Sequence, residues 1–141
     1  MIKYYLLLFI LYSAVSSAQT EYDIHPIDAQ RLECRNSKEN QDPDNSIRCE
    51  YSARIAWEKE VNKYSDLLLK VLKPAEKKVF KSAQKQWIMY RDSEMEFANS
   101  LYKNMESEAW LVVHAVRLTN IFRTRALELQ EYHDMATFDP E

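Results

Sequence analysis

The densest set of residues that could do chemistry in this 141-residue chain is Ala83-Gln84-Lys85-Gln86-Trp87-Ile88-Met89-Tyr90-Arg91-Asp92-Ser93-Glu94. At helical spacing Ala83, Trp87, Tyr90 and Glu94 share a face, with Gln84 and Arg91 beside Trp87. Trp and Tyr join a large apolar area to a polar tip, and a guanidinium stacks on aromatic rings or grips a carboxylate at two points. Such a set is either a protein-binding hot spot or a helix–helix core in which Arg91 satisfies a buried acid or a helix end. Aromatic stripes at helical spacing favour the core.

Other titratable residues carry less. Glu94, Glu96, Glu106 and Glu108 suggest paired carboxylates, yet residues two apart on a helix diverge, so a solvated face is expected. His25, His114 and His133 are widely separated and lack a His-Glu-x-x-His pattern. His114 is expected in the core or at its boundary, His25 in a mobile N-terminal segment, and His133 near a fraying helix end. Arg117, Arg123 and Arg125 follow Glu106 and Glu108 in the order that suits a helix dipole. Without Lys3 of the leader the chain carries 18 basic and 22 acidic side chains, a net of −4, which argues against a nucleic-acid partner and permits a basic one. The chain has no glycine, which excludes the phosphate-cradling loops and nucleophile elbows that depend on it. No catalytic residue, cofactor or metal is assigned; the chain reads as a binder rather than an enzyme.

The elements that must position these residues begin after a leader. Lys3, the apolar run from Tyr4 to Val15 and the small residues Ser16-Ser17-Ala18 read as a signal peptide over residues 1–18. The apolar run falls short of the roughly 20 residues a membrane span needs, and no later segment approaches that length without charges, so no span is expected after its removal. Residues 19–141 are expected to form one domain, with its core at about 28–133, exported to the periplasm or medium. Export places Cys34 and Cys49 where disulfides persist, and two cysteines allow one intramolecular pairing. The 14 residues between them are rich in Asn, Asp and Ser, predicting a flexible loop whose closure contributes about 3 kcal/mol.

The periodicity predicts an all-α fold. A short helix is expected over 28–36, then long helices over about 47–72, 74–103 and 107–132. Pro74 opens the third and Ser107 caps the fourth. Inward stripes are Val61, Tyr64, Leu68 and Val71; Val79, Ala83, Trp87, Tyr90, Phe97 and Leu101; and Leu111, His114, Leu118, Ile121 and Phe122. Short connections then give a bundle of three long antiparallel helices, with the short N-terminal helix tethered by one disulfide. An exposed aromatic patch off these stripes, with Trp57 and Trp110 as candidates, would mark a binding surface.

The chain resembles the LprI-type lysozyme inhibitor family of exported bacterial proteins. The resemblance rests on Cys34 and Cys49, on Glu58-Lys59-Glu60-Val61-Asn62 leading into Leu67 to Leu72, and on Ala83-Gln84-x-x-Trp87-x-x-Tyr90-Arg91-Asp92-x-Glu94. Asn120-x-x-Arg123-Thr124-x-x-Leu127 closes it. A second cysteine pair frequent in the family is replaced here at Met95 and about Ala115. What the resemblance implies is an envelope protein that binds and inhibits lysozyme, a usually basic enzyme that cuts peptidoglycan. A non-catalytic helical module for another envelope protein or peptide is the alternative. The motif residues Ala83, Gln84, Trp87, Tyr90, Arg91, Asp92 and Glu94 are expected to shape the fold, and no lysozyme contact is assigned to any of them. The oligomeric state is left open.

Overall fold

A computed structural model describes residues 24–40, 42–105 and 107–139; the expected leader, residues 1–18, lies outside them. Among the described residues there are helices and no strand: α1 Pro26–Asn36, α2 Pro43–Val71, α3 Pro74–Tyr102 and α4 Glu108–Thr137, with a 3₁₀ turn at Lys38–Asn40. Proline opens α1, α2 and α3, where its missing N–H breaks no helical bond. Asp42 caps α2, its Oδ1 accepting from the Asn45 N–H at 2.9 Å. At the head of α3, Glu76 reaches back to accept from the Lys73 N–H at 2.8 Å.

Two boundaries differ from expectation by four residues or more. Helix α2 starts four residues earlier than 47, because Asp42-Pro43 already supplies the cap and first helical residue. Helix α4 runs past 132 to Thr137, since nothing between Tyr132 and the Asp139-Pro140 pair stops it. The described residues between the cysteines also do not form the expected flexible loop. The 3₁₀ turn occupies it, Asn45 Nδ2 donates to the Glu39 carbonyl (2.9 Å) and Ser46 Oγ to that of Asn40 (3.2 Å).

Helices α2 and α4 form the main pairing. Thr119 Oγ donates to the Glu50 carbonyl (3.0 Å), and Leu68 and Leu72 lie beside Tyr132, so the two run in the same direction. Their seam holds Trp57, Val61, Leu68, Phe122, Ala126 and Leu129, with Tyr64 packed against it. The expected α2 stripe is therefore buried at Val61 and Leu68, whereas Val71, at the last turn, is exposed. Trp57 is fully buried and belongs to the core, not to a surface patch; Trp110 is exposed.

Helix α1 lies along α2, joined by the Cys34–Cys49 disulfide, whose Cα atoms are 5.8 Å apart. Charges fix it further: Arg31 and Arg35 reach Glu50 at 2.9 and 3.2 Å, and Arg123 of α4 reaches Asp28 at 2.7 Å. His25 is not in a mobile segment. It caps α1, accepting from the Ile27 N–H at 3.2 Å, with its ring 4.3 Å from that of Trp57. His133 likewise sits inside α4, its ring 5.9 Å from that of Tyr64.

Candidate functional site

Helix α3 runs back along this pair and touches mainly α4. Of its 29 residues only Ala98 is buried, so the expected inward stripe is corrected. Val79, Tyr90, Phe97 and Leu101 are exposed, Val79 at 70% and Tyr90 at 57%. The stripe that faces the bundle is Phe80, Gln84, Trp87, Arg91, Glu94, Ala98 and Tyr102, all half-buried or buried at a spacing of three and four. Three of these seven are polar, and periodicity in apolar residues alone passes over them.

Each polar member has a partner. Gln84 donates to Ser65 Oγ of α2 (2.7 Å) and accepts from Arg125 Nε of α4 (2.8 Å), so one amide ties three helices. Trp87 meets Phe122 edge-on at 6.1 Å between centroids. Two guanidiniums attend the indole, Arg91 at 5.4 Å and Arg125 at 5.8 Å. Arg91 also lies 5.7 Å from the Phe122 ring and pairs with its neighbour Asp92 at 2.7 Å. Glu94 pairs with Arg117 of α4, and that hydrogen bond, then the charge of Glu94, raises the already high Arg117 value. At the far end the Tyr102 ring stacks on His114 at 4.8 Å and tilts toward Trp110 at 6.4 Å.

These contacts leave an open groove of about 600 Å³ between α3 and α4. Tyr90, Glu94 and Tyr102 form one wall, and Val113, Arg117 and Thr124 stand on the other. Tyr and Arg on a concave, partly apolar surface are the residue types that carry protein–protein hot spots. The arrangement offers stacking area, four charges already joined in the pairs Arg117–Glu94 and Arg125–Glu128, and no cysteine, serine or histidine. Among the described residues no group of three His, Cys, Asp or Glu could hold a metal ion.

The structure thus brings Gln84, Trp87, Arg91 and Glu94 to the α3–α4 seam, puts Tyr90 on the groove wall, and leaves Ala83 and Asp92 exposed. Glu96 is exposed and Glu94 is taken by Arg117, so these two carboxylates do not converge. Sequence reasoning missed the role of Arg125, which it grouped with Arg117 and Arg123 as a basic stretch. Its separation of 41 residues from Gln84 gave no signal.

The family model described as Lysozyme inhibitor LprI matches residues 34–129. No curated protein sequence matches the chain. Among solved structures, the crystal structure of an uncharacterised protein from Burkholderia thailandensis is similar with a TM-score of 0.78, 22% sequence identity and 82% of this chain covered. This chain spans 56% of that one, and at this identity the likeness shows the fold alone.

Proposed function

This chain belongs to the LprI lysozyme inhibitor family, and from that membership we propose that it is exported to the cell envelope and there binds lysozyme and blocks its cleft. The family match carries the reading. The geometry adds a surface for it: the α3–α4 groove together with the exposed α3 flank of Tyr90, Phe97 and Leu101. A contiguous apolar and aromatic surface of this kind marks an interaction site. In this reading Gln84, Trp87 and Arg91 set the pose of α3, and Tyr90 and Phe97 meet the partner. No catalytic step is assigned to the chain.

Lysis of a peptidoglycan suspension by c-type lysozyme, with increasing protein, tests this directly. Saturable inhibition near equimolar protein is expected, with Tyr90→Ala and Phe97→Ala together weakening it at least about tenfold, the effect of losing one hot-spot residue. Full lysis at large excess of folded protein would refute inhibition of that lysozyme. The second reading, a module for another envelope protein or peptide, then takes precedence, because the exposed α3 flank needs a partner in either case.

A further inference from the structure

A separate cavity of about 230 Å³ lies between the first halves of α2 and α4, beside the end of α3 where Tyr102 stacks on His114. Ile47, Tyr51, Leu111 and Leu118 supply apolar walls, and Arg54 and His114 are its charged and titratable members. We propose that this cavity binds a small apolar carboxylate, an acid of about the size of phenylacetate, with the carboxylate held between Arg54 and His114.

Size comes first. An engineered apolar cavity of about 150 Å³ holds benzene, so a volume half as large again takes a ring and a short arm ending in a carboxylate. The polar groups then choose the arm. The Arg54 guanidinium lies 4.9 Å from the Tyr51 ring centroid and forms no ion pair with a carboxylate among the described residues. His114 Nε2 is buried without a hydrogen-bond partner among them. The stack with Tyr102 holds that ring from the opposite helix. Arg54, a half-buried cation lacking a counter-ion, and His114, with a nitrogen lacking a partner, line one small apolar cavity, and both gain from a carboxylate. An ammonium would be repelled by Arg54, and a neutral apolar molecule would leave both groups unmet.

Burial, and then the charge of Arg54, hold His114 below the ordinary imidazole value; the other titratable groups near it are Tyr51 of α2 and Tyr102 of α3. A carboxylate there favours the imidazolium, so binding raises the His114 value and tightens as pH falls.

The test is a two-dimensional NMR titration of the isotope-labelled protein with phenylacetate, 2-phenylethanol and phenethylamine. Saturable shifts confined to residues 47–54 and 111–119 are expected for the acid, with a Kd on the order of 1 mM. The alcohol and amine should bind at least about tenfold more weakly, and His114 should titrate at higher pH with the acid present. Arg54→Gln should weaken the acid at least about tenfold. Ala115→Leu, which fills the cavity from the α4 side, should block it and keeps the test decisive if the first variant fails to fold. N-acetylphenylalanine distinguishes sources: tighter binding than phenylacetate assigns the site to a peptide C-terminus, weaker binding to a free acid. No saturation at about 20 mM, equal binding of the alcohol, or shifts centred on the α3–α4 groove would overturn the proposal. Lysozyme inhibition is read in a separate lysis assay, so failure of this proposal and failure of the proposed function are distinguishable.

Discussion

Glu50 lies one residue beyond Cys49 on the face of α2 that also carries Ala53 and Trp57, and it is fully buried. Its Oε1 accepts from Arg31 and Arg35, so this one carboxylate anchors α1 at two points beside the disulfide. Removing one partner of a buried ion pair strands the others, at a cost of about 3 kcal/mol or more. Glu50→Ala is therefore expected to lower the urea-unfolding free energy by about 3 kcal/mol, and a change under about 1 kcal/mol would show that the pair behaves as a surface one. His114 supplies a pH signature. Burial and Arg54 depress its folded value, so the unfolded chain takes up its proton first on acidification. Stability from this group is complete above the unfolded value of about 6.5 and falls as pH drops from there through the folded value. Unfolding midpoints at about pH 7.5 and 5.5 should differ less in His114→Phe than in the parent; an equal difference would remove His114 as the cause. The sequence made Val61, Leu68 and Phe122 legible because each is apolar at core spacing. Glu50 was not, since nothing local distinguishes a buried glutamate from the solvated Glu58.

At the scale of elements, α3 stands apart. Helices α2 and α4 bury whole turns of apolar side chains against each other, whereas α3 is held by a tryptophan, two guanidiniums and an amide. Its register follows those polar partners, which is why the apolar stripe read from Val79 to Leu101 lies on a flank facing solvent. Alternation of apolar residues finds the face with most carbon, and in α3 that face is not the one the bundle uses. Few buried contacts imply a low local opening free energy. Amides of α3 between Gln84 and Asn99 are thus expected to exchange on the order of a hundredfold faster than those of Trp57–Leu68 and Phe122–Leu129 under native conditions. Uniform protection over the three helices would mean α3 opens only with the whole domain. Gln84→Ala should speed α3 exchange selectively, as it unties three helices at once. Helix α1 makes the opposite case: short, with no buried residue, it depends on its tether. Replacing both Cys34 and Cys49 by Ser should cost about 3 kcal/mol, read from denaturant midpoints with slopes checked for a changed unfolded state.

Charge is unevenly distributed over the molecule as a whole. Residues 70–85 hold six lysines and one acid, Glu76, a local +5 in a chain of −3, so the remainder stands at −8. None of those six lysines forms an ion pair among the described residues. Under the proposed function, a basic lysozyme would be steered away from the head of α3 and toward the rest of the molecule, where the groove opens at Tyr90, Glu94 and Tyr102. Composition alone could not show that the lysines gather at one end of α3; their order along the sequence and the break at Pro74 place them there. If lysozyme docks at the groove, its association rate should fall at least about tenfold between about 0.05 and 0.5 M salt, as screening shortens to a few ångströms. Exchanging Lys77 and Lys81 for Glu should raise that rate at low salt and leave the dissociation rate unchanged, since these residues bias the approach without touching the partner. A slower dissociation in that variant would instead put the contact at the head of α3, and with it the docking surface would move from the groove to the α2–α3 turn.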